Sequence, residues 1–469
     1  MFSFSSIEDY HARLNKGEQT CVQAVSHYLS AIEKNKRLNS FLEVYSDEAL
    51  QRASELDEQT TKGELHGVVI GLKDNICYKN HRASAGSRIL ENYTSVYSAT
   101  AVDRLVKEGA IIIGRQNCDE FGMGSTNENS AYGPVLNPSN EEHVAGGSSG
   151  GSAAAVKAAL CMAALGSDTG GSVRLPADFT GVVGFKPNYG RISRHGLIAY
   201  GSSFDQIGIL ANNITDTAKI LRVIAGPDSF DSTAIQSALT ENFSATDSKK
   251  YRIAYFPEWI DHPSIDPEIS GKIKKLIETL REQGHTLEPV HFELTEYIVP
   301  TYYILTTAEA SSNLSRYDGV RYGPKNVKAE NLTNFYQQNR TDGFGKEVKR
   351  RIMLGSFVLS TGYYEAYFTK AQQTRQLLKA KTELIFKDFD FIIAPNSPTI
   401  AYRLGAVDHD PLMMYMGDIF TVFANLVGIP AISLPLFKHS SNLPFGLQVL
   451  SSPHNEVSLL RFSHRLMQQ

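Results

Sequence analysis

The chain of 469 residues is poor in the features that mark secreted proteins. It has only four cysteines, Cys21, Cys77, Cys118 and Cys161, and no two of them form a C-x-x-C pair. Its first residues lack the basic and apolar segments of a secretory signal. These absences predict a reduced, cytoplasmic chain rather than a framework of disulfides.

Long apolar runs are also absent from the sequence. The longest one, from Ala153 to Leu165, has 13 residues and is interrupted by Lys157. A membrane-spanning helix needs roughly 20 apolar residues. The sequence therefore predicts no association with a membrane.

No excess of charge and no metal-binding pattern stand out. The sequence has 46 Lys and Arg residues and 50 Asp and Glu residues, which gives a net charge of −4. This balance is unlike the basic surface that nucleic-acid-binding proteins use. None of the 13 histidines lies four residues from another, so the helical H-x-x-x-H zinc pattern is missing. We expect no metal site. No histidine stands at a spacing that would mark it as the base of a catalytic serine.

What the sequence does contain is the pattern of an α/β protein. Apolar runs rich in β-branched residues at 67–72 and 110–114 flank a helical pattern at 99–108. Because these strands are apolar on both faces, they predict a sheet covered by helices. We expect a single domain over residues 1–469, with a mainly helical subregion at about 230–385.

Caps and apolar stripes predict individual helices. One should begin after Thr20, another at Ser46, and a third at Asp266 and Pro267, reaching to about Gln283. Further helices are expected at 347–360, 363–387 and 413–428, and strands at 252–256 and 391–394.

Glycine is concentrated between Gly109 and Gly208, where two glycine–serine clusters occur. The first, G-G-S-S-G-G-S at 146–152, opens a helix, and by itself it is typical of a flexible or anion-binding loop. No Lys-Ser or Lys-Thr pair follows it, so the P-loop pattern fails. The second, G-S-D-T-G-G-S at 166–172, suits a serine nucleophile beside an oxyanion hole, although a tight turn explains it as well.

A serine nucleophile needs a base, and a neutral lysine can serve as one. Lys73 directly follows an apolar strand, where burial would lower its pKa from about 10.4. Lysines at strand ends are more often simply solvated, so the local sequence leaves both interpretations open. For Asp168 and Arg174 we expect structural pairing around the second cluster rather than a catalytic role.

Taken together, these motifs resemble the amidase signature family. G-L-K-D-N at 71–75 precedes the two glycine–serine clusters, with 75 residues from Lys73 to Ser148 and 24 from Ser148 to Ser172, as in the family pattern. The resemblance implies the amidase signature fold, with a large mixed sheet covered by helices on both faces. It also implies a Ser–cis-Ser–Lys triad, in which Ser172 is the nucleophile, Ser148 relays the proton and Lys73 is the base. The oxyanion-hole N–H groups would come from Thr169, Gly170 and Gly171.

Other stretches resemble one branch of that family, the glutaminase subunits of tRNA-dependent amidotransferases. They lie at 124–133, 312–323, 344–355 and 411–418. In that branch an arginine binds the α-carboxylate of glutamine and an aspartate binds its α-amino group. The corresponding residues in this sequence are Arg351 and Asp418. By itself, the run from Lys349 to Arg351 is more typical of a solvated basic helix face than of a substrate site. The remaining residues that the resemblance assigns to the substrate pocket are Tyr302, Gly124, Ser125 and Thr126.

The resemblance implies hydrolysis of glutamine through an ester on Ser172. The ammonia released would serve a partner in the transamidation of Glu-tRNA(Gln) or Asp-tRNA(Asn). The B subunit of such an amidotransferase would bind the misacylated tRNA and activate it with ATP and Mg²⁺, and a small C subunit would brace the pair. This chain would need no cofactor of its own, and its slight acidity agrees with tRNA binding elsewhere.

Two other functions stay open on the sequence. A stand-alone amidase of small amides would need no partner, but an apolar amide would leave Arg351 and Asp418 unpaired. A non-catalytic anion-binding or scaffold protein would use only the glycine loops. The presence of Lys73, Ser148 and Ser172 argues against that third function.

Overall fold

A large mixed sheet runs through the protein. The computed structural model describes residues 2–60, 62–239, 241, 243, 248–323, 328–406 and 415–468. Eleven of its strands form this sheet in the order β1-β3-β2-β6-β8-β7-β12-β13-β11-β9-β10, and β4 and β5 pair separately. The strands are β1 Phe41–Val44, β2 Val69–Lys73, β3 Ile111–Gln116, β4 Leu136–Asn137, β5 Asn140–Val144, β6 Ala163–Asp168, β7 Val183–Lys186, β8 Gln206–Ala211, β9 Arg252–Tyr255, β10 Thr286–Pro289, β11 Phe391–Pro395, β12 Ala431–Lys438 and β13 Pro444–Ser451.

Helices surround this sheet. They are α1 Ile7–Asn15, α2 Cys21–Lys34, α3 Ser46–Asp57, α4 Thr100–Lys107, α5 Gly150–Lys157, α6 Arg174–Thr180, α7 Ile214–Ile224, α8 Pro257–Ile260, α9 Pro267–Glu282, α10 Thr295–Asn313, α11 Leu332–Gly343, α12 Lys346–Val358, α13 Lys370–Asp388, α14 Val422–Val427 and α15 Glu456–Leu466. The predicted α/β class with a mixed, helix-covered sheet is therefore confirmed.

Strand direction changes along the sheet. β2 is parallel to both β3 and β6, whereas β6, β8, β7, β12, β13 and β11 follow one another in antiparallel pairs. β9 is parallel to both β11 and β10. Because β2 and β6 are parallel neighbours, their carboxyl ends meet at one edge of the sheet, and this edge carries the candidate site.

Most of the predicted elements are present at their predicted places. Thr20 caps α2 through a reciprocal capping box with Gln23, and the Asp266 side chain caps α9. The predicted helix at 363–387 is observed as a π-helical turn at Glu365–Thr369 that continues into α13. The start of the predicted helix at 413–428 lies outside the described residues, and within the described part α14 covers Val422–Val427.

The stretch predicted as mainly helical, about 230–385, contains α8 to α13. It also contributes β9 and β10, which extend the sheet beyond β11. The helices of this stretch are thus joined to the rest of the protein by the same sheet. The expectation of one domain over 1–469 stays a prediction.

Apolar side chains fill the space between the sheet and its helices. One large buried cluster covers the central strands, and a second, rich in aromatic rings, lies beneath α10 and α13. No helix among the described residues is long and apolar enough to span a membrane. The four cysteines are buried and carry free thiols.

Candidate active site

Lys73 is the last residue of β2 and lies at the edge of the sheet where the carboxyl ends of β2 and β6 meet. Its side chain is fully buried. Its Nζ donates to Ser148 Oγ at 2.7 Å and to Ser167 Oγ at 2.8 Å. Burial lowers the pKa of Lys73 to about 8, so the local interpretation of a solvated lysine is wrong.

Ser148 lies in the loop between β5 and α5, and the peptide bond that precedes it, Gly147–Ser148, is cis. Gly147 N–H donates to the Ser125 carbonyl at 2.8 Å, and Asp119 N–H donates to the Ser148 carbonyl at 3.2 Å. The Asp119 carboxylate in turn accepts from the backbone N–H groups of Asn127 and Asn129, both at 3.0 Å. The segment around 124–129 is thus fastened to the serine that contacts Lys73.

Ser172 lies in the short connection between β6 and α6. Its carbonyl accepts from Ser149 N–H at 3.0 Å, which ties the two glycine–serine loops together. Its side chain is buried apart from 8% of its surface. Within the described part of the chain, its hydroxyl makes no hydrogen bond, to Ser148 or to any other group. The structure therefore joins Lys73 and Ser148 directly and holds Ser172 in the adjoining loop.

The N–H groups predicted for an oxyanion hole differ in their surroundings. Gly171 N–H already donates to Asp168 Oδ1 at 2.9 Å. The N–H groups of Thr169 and Gly170 have no acceptor among the described residues, and the Thr169 hydroxyl is held by Asp205 at 2.7 Å. The free donors beside Ser172 are therefore Thr169 and Gly170, whereas Gly171 serves to fix the turn.

Asp168 and Arg174 form a fully buried ion pair, as the sequence predicted. Burial alone would raise the pKa of Asp168, but the Arg174 charge and its hydrogen bonds lower it to about 2. Asp168 also accepts from Val173 N–H at 3.1 Å. The pair therefore stabilises the loop that carries Ser172.

Arg351, on α12, is 3% exposed. Its Nε donates to Glu347 Oε1 and its Nη1 to the Tyr200 hydroxyl, both at 2.8 Å. The rings of Tyr200, Tyr303 and Tyr415 lie 5.5, 5.6 and 6.0 Å from its guanidinium carbon. The interpretation of this residue as part of a solvated basic face is therefore wrong.

Asp418 lies beside this arginine. It accepts a hydrogen bond from the Tyr303 hydroxyl at 3.2 Å, and the Tyr303 ring faces Arg351. Burial raises the pKa of Asp418 to about 7, while Arg351 and the Tyr303 hydrogen bond oppose that rise. Tyr303 thus connects a buried cation with a carboxylate.

The other predicted pocket residues lie close to this cluster or to the glycine–serine loops. Tyr302 is buried against Gly170, where a Cβ would collide with its hydroxyl. Gly124, Ser125 and Thr126 are buried, and a Cβ on Gly417, next to Asp418, would lie 3.7 Å from Ser125 Oγ. All of the predicted residues therefore belong to one region.

Several residues of this region were not predicted as site residues. Ser167 stands inside the quoted G-S-D-T-G-G-S motif, and Glu347 lies one helical turn before Arg351, so a search for i,i+4 charge pairs would have found it. Tyr415 lies inside the quoted stretch at 411–418. For the others the sequence holds no signal, because the fold alone brings them here: Asp119, Tyr200 and Tyr303.

Among the residues that the structure describes, no three His, Cys, Asp or Glu side chains gather as they would around a metal ion. The chemistry available at the site is that of a buried lysine, two serines and free backbone donors. A lysine of lowered pKa can accept the proton of the serine that it contacts, and that serine can accept the proton of a second serine. This transfer begins the attack on an amide or ester carbon. Fold and site together define an α/β protein equipped for acyl transfer.

Comparison with known proteins gives the same class. The family model described as Amidase matches residues 23–460. The glutamyl-tRNA(Gln) amidotransferase A subunit from Chlorobium phaeobacteroides is 48% identical over 464 residues, which cover 97% of each chain. The protein of the same name from Pelodictyon phaeoclathratiforme is 47% identical over 474 residues, which cover 99% of each chain.

A solved structure resembles the protein over nearly its whole length. The crystal structure of the glutamyl-tRNA(Gln) amidotransferase A subunit from Thermotoga maritima has a TM-score of 0.78 and 37% sequence identity, and the match covers 97% of this chain and 93% of that one. The chain belongs to the amidase signature family.

Proposed function

We propose that the protein is the glutamine-hydrolysing subunit of a tRNA-dependent amidotransferase. The observation that carries the proposal is the presence of two arrangements in one region: the buried Lys73–Ser148 hydrogen bond beside Ser172, and the Arg351 and Asp418 charges that flank Tyr303. The first suits amide hydrolysis and the second suits a zwitterionic amino acid. The relatives named above, which are amidotransferase subunits, support the same function.

In this proposal Ser172 Oγ attacks the side-chain amide carbon of glutamine. Its proton passes to Ser148 Oγ while the Ser148 proton passes to the neutral Nζ of Lys73. The oxyanion accepts from the N–H groups of Thr169 and Gly170, which need no reorganisation because the buried loop already fixes them. When the C–N bond breaks, the proton returns through Ser148 to the departing nitrogen, so that ammonia leaves and a γ-glutamyl ester stays on Ser172. Attack by water on that ester then releases glutamate.

Arg351 binds the α-carboxylate of glutamine in this scheme, and Asp418 binds its α-ammonium group. A zwitterion needs one cation and one anion at fixed positions, and guanidinium meets carboxylate with directional hydrogen bonds. Tyr302, Gly124, Ser125 and Thr126 line the path between these charges and Ser172. A small uncharged amide would leave the terminal nitrogens of Arg351 and the Asp418 carboxylate without a charged partner on the substrate.

The ammonia serves a partner in this proposal. The B subunit of the amidotransferase binds Glu-tRNA(Gln) or Asp-tRNA(Asn) and activates the misacylated residue with ATP and Mg²⁺, and the C subunit braces the assembly. The steps assigned to this chain use only its own side chains and backbone, so it works without a resident cofactor. Because aminoacyl-tRNA is made and used in the cytoplasm, the proposal includes a cytoplasmic location.

The test compares glutamine with a simple uncharged amide. Arg351→Ala and Asp418→Ala should each weaken kcat/KM for glutamine roughly 10- to 150-fold, because each removes a charge-assisted bond worth about 1.5–3 kcal/mol. Hydrolysis of the uncharged amide should fall much less. Equal losses on both substrates would show that the two residues are structural.

Trapping the ester tests the nucleophile in the same protein. A glutamine-derived electrophile should label Ser172, and mass spectrometry should find no label in the Ser172→Ala variant. Labelling of Ser149 or of a cysteine would contradict the proposed chemistry.

A further inference from the structure

Glu347 is buried beneath Arg351, one helical turn earlier on α12. From its contacts we infer that it is a positioning residue, which fixes the guanidinium so that only its terminal edge is open to the substrate carboxylate. This inference rests on the proposed function, in which Arg351 binds the α-carboxylate of glutamine.

Two hydrogen bonds fix the plane of the Arg351 guanidinium. Glu347 Oε1 accepts from Nε and the Tyr200 hydroxyl accepts from Nη1, each at 2.8 Å. Within the described part of the chain, Nη2 makes no hydrogen bond. Because the Nε side is already occupied, a carboxylate has to approach the terminal nitrogens instead.

Glu347 is itself held in place and is not available to a ligand. Its Oε1 also accepts from the Tyr415 hydroxyl at 3.1 Å, and its Oε2 accepts from Arg350 Nη1 at 2.5 Å. It is 5% exposed. Both carboxylate oxygens thus face donors of the protein, which is the arrangement of a group that acts through its neighbour.

The position of the negative charge matters as much as its presence. A buried guanidinium needs a counter-charge, but a carboxylate on its terminal edge would compete with the substrate carboxylate. Glu347 lies on the opposite side, at Nε, and the rings of Tyr303 and Tyr415, whose centroids are 4.7 Å apart, lie together on one side of the cation. The terminal edge at Nη2 is left for a ligand carboxylate.

The test measures binding in a chain that cannot turn over. In a Ser172→Ala background, calorimetry gives the dissociation constants of L-glutamine and of L-glutaminamide, whose carboxylate is replaced by an uncharged amide. Glu347→Ala should weaken glutamine binding about tenfold or more and change glutaminamide binding less than about twofold. Glu347→Gln keeps an acceptor for Nε and should recover part of the loss. Met353→Ala, an exposed position on the same helix, is the matched control and should change neither constant.

The two ligands separate positioning from folding. A general collapse of the pocket would weaken both ligands alike, and that result, or unchanged glutamine binding in Glu347→Ala, would overturn the assignment. If Glu347→Ala does not fold, Glu347→Gln is tested instead. In that variant the ratio of the dissociation constants of glutamine and glutaminamide should still shift by about threefold. A Ser172→Ala parent that binds no glutamine would overturn the proposed function itself, and this inference with it.

Discussion

At the scale of single residues, the property that decides the chemistry is the protonation of Lys73. A lysine in water has a pKa of about 10.4 and is almost always charged at neutral pH. Burial of the side chain lowers the pKa of Lys73 to about 8, so a usable fraction of it is neutral near pH 7. The neighbouring Ser148 and Ser167 hydroxyls hold its Nζ in place.

This pKa predicts the pH dependence of turnover. Below about pH 8 the protonated Nζ cannot accept the serine proton, so kcat for glutamine should rise about tenfold per pH unit and level off above about pH 8. The measurement is glutamate release at saturating glutamine from about pH 6 to about pH 9.5, because saturation removes the effect of Asp418 on binding. The Lys73→Ala variant should lose most turnover at every pH, and near-normal activity of that variant at neutral pH would place the base elsewhere.

At the scale of elements, the substrate cluster depends on how closely α10 and α12 approach. α10 carries Tyr303 and α12 carries Arg351, and the helices cross where Gly355 meets the backbone of Thr307. A Cβ on Gly355 would collide with the Thr307 carbonyl oxygen. Glycine at this position therefore allows the arginine to lie over the tyrosine ring.

Gly355→Ala should push the two helices apart. We expect a loss of about 1–3 kcal/mol in the free energy of unfolding, together with a raised KM for glutamine. Urea unfolding and steady-state kinetics measure the two effects. Gly271→Ala is the matched control on α9, where a Cβ meets nothing within 4 Å, and it should instead stabilise the protein by about 0.5–1 kcal/mol. If both variants were instead more stable than the parent, helix propensity rather than the close helix crossing would determine the change in the free energy of unfolding.

At the scale of the whole molecule, strand order joins distant parts of the chain. β12, which lies near the end of the chain, pairs with β7, so one continuous sheet joins its strands before residue 212 to its strands after residue 251. We expect heat or urea to unfold the chain in one transition, seen alike by circular dichroism and by fluorescence of Trp259. Separate transitions for the two probes would instead show that the chain consists of independently folding units.

Partner dependence is a further property of the whole molecule. Ammonia released into neutral water becomes mostly ammonium, which is no nucleophile, so fast hydrolysis is useful only when an acceptor is ready. We predict that the B subunit with ATP and misacylated tRNA raises glutamine turnover at least about tenfold, or roughly 1.4 kcal/mol of coupling. Glutamate release is measured for the chain alone and then with each component added. Full-speed hydrolysis of unrelated amides by the lone chain, unchanged by these additions, would favour a stand-alone amidase.

Local sequence was sufficient to predict several elements of this protein. The apolar runs around β2 and β3 and the caps of α2 and α9 follow from neighbouring residues, because strand and helix formation depend on short-range periodicity and capping. The motifs containing Lys73, Ser148 and Ser172 identified the family. They did so because each motif keeps its residues and its spacing along the chain.

Only the tertiary structure decided how those residues are charged and paired. The pKa of Lys73 depends on burial among groups far away in the sequence. The Gly171 N–H is taken up by Asp168, and Arg351 is buried although its neighbours along the chain suggest a solvated face. Tyr200, which holds Arg351, is 151 positions away in the sequence. Such contacts join residues far apart in the chain, and burial and long-range electrostatics act through space, so no local pattern records them.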